Sequence, residues 1–373
     1  MKKTIITIAM AIGSIFTGIC DNHPNIIPAP QKMVAGEGTF IAKKGMTIVS
    51  KDAKDFSAHY LQDKLEEVFD FPVTVSTQAK ADGCITFVTD KSLPQEGYKL
   101  DIQQGSITIA SADEAGKYYG VQTLLQLFPA GVYSGDHLRL KEYPIGALAV
   151  EDAPRFGYRG FMLDVGRKFF TLDYLKEQIK VMSFYKMNEF QIHLNDNGFP
   201  QFFDNDWNKT YAAFRLESDR FPGLTAKDGF YTKKEFTELQ RMGMEYGVNV
   251  IPEIDIPAHS LAFTHYKPEI GTQEYGMDHL DLYKEETYRF VDALLDEYLS
   301  GEEPVFIGPD VHIGTDEYNK KEAEQYRYFT DRYLKYVAGY GKTPRMWGGL
   351  KWLPGKTPVQ AEGVTVNAWS FDW

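Results

Sequence analysis

The segment TKKEFTELQRMGMEYGVNVIPEIDIPAH, residues 232–259, holds one complete helix–strand unit and its polar tip. Thr232 with Glu235 three residues later is a capping box, so a helix is predicted to start there. An apolar strand follows at Val248–Ile254, and the run ends at His259. Outward from this unit the same rhythm recurs from about Glu151 onward. Further strands are predicted at Gly160–Val165, Glu189–Leu194, Val311–Gly314, Arg345–Trp347 and Thr365–Ala368. Helices are predicted at Asp173–Tyr185, with Leu175, Ile179 and Met182 on one face, and through Glu286–Leu299 and Lys321–Tyr340. Strands alternating with helices imply an α/β protein with a parallel sheet or barrel. Arg167, Asp196, His259, Asp316, Glu317 and Trp369 all fall just after strands, the face on which a (β/α)8 TIM-type barrel carries its chemistry. The count reaches about six strands in the 223 residues from Glu151 to Trp373, whereas a complete barrel has eight in about 250. Because an open parallel edge invites aggregation, the expectation is a barrel truncated after about six strands.

Residues 22–150 read as a small α+β domain preceding the barrel at 151–373. Short β-rich runs lie at Met46–Val49, Ile85–Thr89, Tyr98–Ile102 and Ser106–Ala110, the last two joined by the hairpin-type connection Gln103-Gln104-Gly105. One helix places Phe56, Leu61, Leu65 and Val68 at near-helical spacing. A second is predicted to begin with Ser111 and Glu114 in capping-box register and to bury Tyr118, Val121, Leu124, Leu125 and Phe128. No constellation in this part suggests catalysis.

Residues 1–20 are of another kind. Lys2 and Lys3 precede an apolar run from Ile5 to Ile19, the form of a secretory signal peptide and too short for a membrane span. The run ends at Cys20, which suggests a bacterial lipoprotein signal, although Ile19 stands where a small residue is expected. Export to the periplasm, or to the outer membrane as a lipoprotein anchored through lipidated Cys20, is the expectation. Cys20 and Cys84 are the only cysteines, too few for a disulfide framework or a cysteine-based zinc site, and Cys84 is expected to pack as a small hydrophobe. The net charge of -12 argues against nucleic acid or an anionic membrane as a bulk electrostatic partner.

Asp316 and Glu317 follow the apolar strand Val311-His312-Ile313-Gly314. Neighbouring strand residues point to opposite faces, so both carboxylates share a pocket only where the strand curls into a loop. Adjacent residues cannot straddle one sugar carbon, which argues against the ordinary retaining pair at about 5–5.5 Å across a glycosidic bond. One carboxyl group is expected to protonate a leaving oxygen while the other holds something beside it. A solvated loop is the commoner meaning of an Asp-Glu dipeptide; the preceding apolar strand is what weakens that reading here. Asp196 and His259 end other strands in the same way. Glu253, Asp255 and His193 offer an alternative as ligands of a divalent cation, but no H-x-x-x-H spacing supports it, and neither metal nor cofactor is expected.

The segment Pro154–Gly160, continuing through Leu163-Asp164-Val165-Gly166-Arg167, resembles the first barrel strand of the family 20 glycoside hydrolases, the β-N-acetylhexosaminidases. His193–Asp196, Pro252–His259 and His312–Glu317 resemble that family's next signatures in order. The first domain, with Ile27-Pro28 near its start and Tyr119–Leu124 near its end, resembles the family's non-catalytic domain. The resemblance implies a retaining enzyme that removes terminal β-linked N-acetylhexosamine from glycans through an oxazolinium intermediate formed by the substrate's own acetamido group. It also implies roles: Glu317 as acid and base, Asp316 as holder of the acetamido group, and His259 and Asp196 as a relay behind the acid. Arg159 and His193 would serve on the substrate side, with Trp347 and Trp369 as aromatic walls. Departures are Thr315, where a small apolar residue or glycine is common, and the absence of the later strands that carry further pocket residues. Residues 341–348 resemble a lacto-N-biosidase-like branch, so disaccharide release is an alternative. A non-catalytic glycan-binding protein is another.

Overall fold

The computed structural model describes residues 24–79, 83–135 and 137–369; the expected leader and Cys20 lie outside them. Two hydrophobic cores are present, one built from residues between Ile26 and Val150 and one from residues between Val165 and Leu353.

The first core lies under a seven-stranded mixed sheet. Its order is Lys32–Lys43, Glu142–Asp152, Tyr98–Ile102, Ser106–Ser111, Cys84–Thr89, Thr47–Val49 and Thr74–Ser76. The two long strands at one edge and the short one at the other add to the four expected from sequence. Cys84 is buried at the start of its strand, as its size and polarity suggest. Helices Phe56–Val68 and Glu114–Leu125 pack on this sheet. The expected Ser111 cap is not the one used. Asp113 is the N-cap, its Oδ1 accepting from Gly116 N–H at 2.8 Å, because Ser111 is still paired with Tyr98 as the last residue of its strand.

Helix Glu114–Leu125 is buried on nearly every side, because its outer face meets the second unit. Tyr118 Oη lies 3.1 Å from Ser183 Oγ, and Lys186 Nζ crosses to Asp152 at 2.9 Å and to Tyr98 Oη at 2.8 Å. Arg159 belongs to this seam. Its guanidinium pairs with Glu96 at 3.0 Å and donates to the Phe156 and Lys186 carbonyls, so it clamps the two units together.

The second unit contains the predicted alternation: β1 (Gly160–Asp164), α1 (Leu172–Phe184), β2 (Glu189–His193), α2 (Lys233–Glu245), β3 (Asn249–Ile256), α3 (Glu285–Leu299), β4 (Asp310–Gly314), α4 (Ala323–Gly339), β5 (Thr343–Trp347) and β6 (Thr365–Asn367). All neighbours pair parallel and in sequence order, β1 to β6, which is the strand order of a TIM-type barrel. The capping box of α2 forms as expected, Glu235 N–H donating to Thr232 Oγ1 and Thr232 N–H to Glu235 Oε2. Every residue of β4, and all but the first of β3, is buried, so the polar groups on these strands must find partners inside the protein. Added beyond the sequence reading are a hairpin at Asn195–Asn197 and Ala212–Phe214, the short helix Leu261–Tyr266 and a hairpin at Gly271–Leu280. No helix among the described residues is long and apolar enough to cross a membrane.

Glycine at 116 is required by packing: a Cβ there would stand 2.4 Å from the Gly97 carbonyl oxygen, a backbone atom that cannot swing away. Gly116→Ala is therefore expected to lower unfolding stability by about 1–3 kcal/mol in urea titration, since helix and sheet must separate.

Candidate active site

The C-terminal ends of the strands enclose a cleft of about 230 Å³. Asp164 and Arg167 reach it from the end of β1, His193 and Asp196 from β2, and Asp255 and His259 from β3. Asp316 and Glu317 reach it from β4, Trp347 from β5 and Trp369 from β6.

The curl that adjacency demands is present after β4. Gly314, Thr315 and Glu317 all have positive φ, at 71°, 73° and 46°. These values are costly for the two residues that carry side chains and recur at functional sites. A Cβ on Gly314 would meet Asp255 Oδ1 at 1.9 Å, so only glycine passes there. Thr315 is held rather than tolerated. Its N–H donates to the Ile256 carbonyl at 2.9 Å, and its own carbonyl accepts from Tyr326 Oη at 2.7 Å. This turn brings Asp316 and Glu317 to the same cleft. Trp369 Nε1 donates to Asp316 Oδ1 at 3.1 Å.

Behind Glu317 runs a continuous polar chain. His259 Nε2 faces Glu317 Oε2 at 3.4 Å, and His259 Nδ1 meets Asp196 Oδ1 at 2.9 Å. The other Asp196 oxygen meets His193 Nε2 at 2.7 Å and Arg167 Nη1 at 2.7 Å. His193 Nδ1 lies 3.0 Å from the buried Glu253 Oε1, which also accepts from Trp347 Nε1 at 2.6 Å. Gly166 allows the β1 tip to lie against this chain, since a Cβ there would stand 2.6 Å from Asp196 N.

These contacts set the charges. Burial opposes charge on His259 and His193, yet the carboxylates of Asp255 and Asp196 around the first, and of Glu253 and Asp196 around the second, outweigh it and raise both pKa values well above the ordinary range. Asp196 is burdened by burial as well but is held ionised by the two imidazoles. The His259 imidazole facing Glu317 at 3.4 Å, with its charge, holds Glu317 below its usual pKa, while burial pushes Asp316 up to about 6 with the Glu317 charge adding to the effect. Without a ligand, the easily held proton of the pair is therefore on Asp316, not Glu317.

Seven of the eight residues singled out from the sequence line the cleft: Asp196, His193, His259, Asp316, Glu317, Trp347 and Trp369. Arg159 does not. It precedes β1, at the opposite end of the strand, and is consumed by the seam between the units. The arginine in the cleft is Arg167, bonded to Asp164 and Asp196. Its position just after β1 was the available signal. Glu253 and Asp255, considered as cation ligands, bring atoms within 4.8 Å of one another and of His193. Both oxygens of Glu253 already accept N–H donors, from Trp347 and from Gln191 at 2.7 Å, so a cation there would have to displace them.

Fold and site together define a TIM-type α/β protein with a carboxylate pair, an imidazole–carboxylate relay and an aromatic wall at the strand ends. The family model for "Glycosyl hydrolase family 20, catalytic domain" matches residues 156–372, and that for its domain 2 matches residues 23–153. The chain belongs to glycosyl hydrolase family 20. It is 30% identical over 324 residues to a β-hexosaminidase of Porphyromonas gingivalis, covering 80% of this chain and 39% of that protein. To a β-hexosaminidase of Vibrio furnissii it is 30% identical over 316 residues, covering 79% of this chain and 48% of that one. The chain thus spans less than half the length of these two curated relatives. Among solved structures, a mutant Streptomyces plicatus β-hexosaminidase in complex with its product GlcNAc superposes with a TM-score of 0.79 at 28% identity, over 93% of this chain and 69% of that one. The family 20 β-N-acetylhexosaminidase of Streptomyces coelicolor gives the same TM-score and identity, over 93% and 70%.

The raised pKa of Asp316 has a stability consequence. Its contribution is full below the unfolded value of 3.8 and is lost as pH rises through about 6, because the buried site disfavours the charge. Asp316→Asn removes that charge. The variant is expected to match the parent near pH 4 and to exceed it by about 2 kcal/mol near pH 7.5, measured by urea unfolding at both pH values.

Proposed function

We propose that this protein is a retaining β-N-acetylhexosaminidase that removes a terminal N-acetylhexosamine by substrate-assisted catalysis. The observation that carries the reading is the curl at residues 314–317, which presents two adjacent carboxylates to one cleft and backs only Glu317 with a relay. Two carboxyl groups on one turn cannot flank a sugar carbon, so the nucleophile must come from elsewhere. The acetamido carbonyl oxygen of the substrate attacks its own anomeric carbon as the bond to the leaving oxygen breaks. Glu317 delivers its proton to that oxygen. Asp316 accepts the acetamido N–H and stabilises the charge that develops on the group, while Trp369 holds the Asp316 carboxylate from the other side. Glu317, now ionised, takes a proton from the water that opens the oxazolinium ring. Arg167, and not Arg159, is the guanidinium placed to bind sugar hydroxyls. A cleft of about 230 Å³, walled by Trp347 and Trp369, suits one sugar residue better than a disaccharide.

This chemistry needs the opposite proton distribution from the ligand-free one, and substrate supplies the exchange. The Glu317 side chain is 59% exposed, so a sugar covering it raises its pKa, whereas an N–H donated to Asp316 lowers that of Asp316. Lys2 and Lys3 followed by the apolar run Ile5–Ile19 and Cys20 support export, with the protein acting in the periplasm or on the outer membrane of a bacterium.

Hydrolysis of p-nitrophenyl N-acetyl-β-glucosaminide and inhibition by a thiazoline mimic of the oxazolinium test the reading. Glu317→Gln is expected to lower kcat by at least about 100-fold; an unchanged kcat would sink it. The active free protein carries one proton on the carboxylate pair, so kcat/KM should fall as pH rises past about 6, the Asp316 value, with the limb of kcat at higher pH. Arg167→Ala should raise KM by about 10-fold or more with little loss of stability. Arg159→Ala should do the reverse, lowering the denaturation midpoint and leaving KM unchanged.

A further inference from the structure

Glu253 is absent from every role assigned so far, yet its carboxylate meets side chains from three other strands of the second unit. It is fully buried on β3. Its Oε1 accepts from Trp347 Nε1 of β5 at 2.6 Å and faces His193 Nδ1 of β2 at 3.0 Å and His312 Nδ1 of β4 at 3.6 Å. Its Oε2 accepts from Gln191 Nε2 of β2 at 2.7 Å, and Gln191 Oε1 in turn accepts from Asn367 Nδ2 of β6 at 2.7 Å. One carboxylate therefore gathers groups from the strands β2 to β6. Resting on the function proposed above, we infer that Glu253 is a positioning residue that ties the Trp347 wall to the proton relay of Glu317, so that the wall and the acid are set as one unit.

The connection runs in two directions from the same oxygen. Towards the sugar, the hydrogen bond to the indole N–H fixes the plane of Trp347 against the cleft. Towards the acid, the Glu253 charge keeps the proton on His193, whose Nε2 then donates to Asp196, which orients His259 behind Glu317. His312 does not compete for this role. Its Nδ1 accepts from Gly314 N–H at 3.0 Å, and burial drives its pKa down to about 4, so it stays neutral. The remaining titratable neighbours are Asp255 on β3, whose pKa burial raises well above the ordinary range, and Asp164 and Arg167 at the β1 tip, which pair with each other while Arg167 also meets Asp196. The cation of Arg345 on β5 lies near His312 but is paired with Asp310 and Glu189.

Two substitutions should move His193 in opposite directions. Glu253→Gln removes the charge that supports the imidazolium, so His193 should titrate at least one pH unit lower. Trp347→Phe removes the N–H that shares Oε1, leaves that oxygen to His193 alone, and should move its titration higher. Both are read on the intact 373-residue chain from the imidazole resonances of His193 and His259 as a function of pH, which needs no turnover. With p-nitrophenyl N-acetyl-β-glucosaminide, Glu253→Gln should both raise KM and shift the alkaline limb of kcat/KM to lower pH. Trp347→Phe should raise KM and shift that limb upward. A loss of stability with unmoved His193 resonances and an unmoved limb would overturn the inference. If Glu253→Gln does not fold, Trp347→Phe decides alone, and a KM effect without any shift overturns it. If the unaltered chain fails to turn over substrate, the proposed function falls, and the resonances still decide whether Glu253 joins Trp347 to the relay.

Discussion

Charge buried at the strand ends is the constraint from which the rest of this structure follows. Glu253, Asp255, His193 and His312 lie almost wholly out of solvent on neighbouring parallel strands. An uncompensated charge there would cost several kcal/mol, so the groups alternate carboxylate and imidazole and share protons. The relay that reaches Glu317 is the open end of that arrangement. It stops where the protein stops being dry, at a carboxylate more than half exposed to the cleft.

The same requirement explains why the backbone is strained where it is. His259, Thr315 and Glu317 all adopt positive φ at the tips of β3 and β4. At His259 and Glu317 the turn brings the side chain into the polar chain, and at Thr315 it lets the backbone curl between them. Asp255 occupies the space beside Gly314 so closely that no side chain fits there. Strain in the loop is offset by fixed partners below it, such as Tyr326 beneath Thr315, and this is why threonine is accommodated where a smaller residue was expected.

The first unit contributes rigidity rather than chemistry. Its helix Glu114–Leu125 is buried on almost every side because it is covered by its own sheet and by the second unit. Lys186 and Arg159, both at the base of the barrel strands, anchor there through Asp152 and Glu96. The cleft lies at the other end of the same strands, so the two units meet without obstructing it.

The sequence by itself determined the two units, the alternation of helix and strand, and the polar residue at each strand end. These depend on period and position, which are local properties. It also limited the carboxylate pair to one turn, because adjacency is a covalent fact. Tertiary structure alone decided which arginine faces the cleft. Arg159 and Arg167 are eight residues apart, and the five-residue strand between them sends one to the seam and the other to the strand-end face. It decided the N-cap at Asp113, since pairing with a distant strand withdrew Ser111. It also revealed Glu253, whose partners lie 62 residues away at Gln191 and 94 away at Trp347. No spacing within one strand could show that a buried carboxylate would meet an indole and an imidazole at once, because that meeting exists only when the four strands β2 to β5 lie side by side.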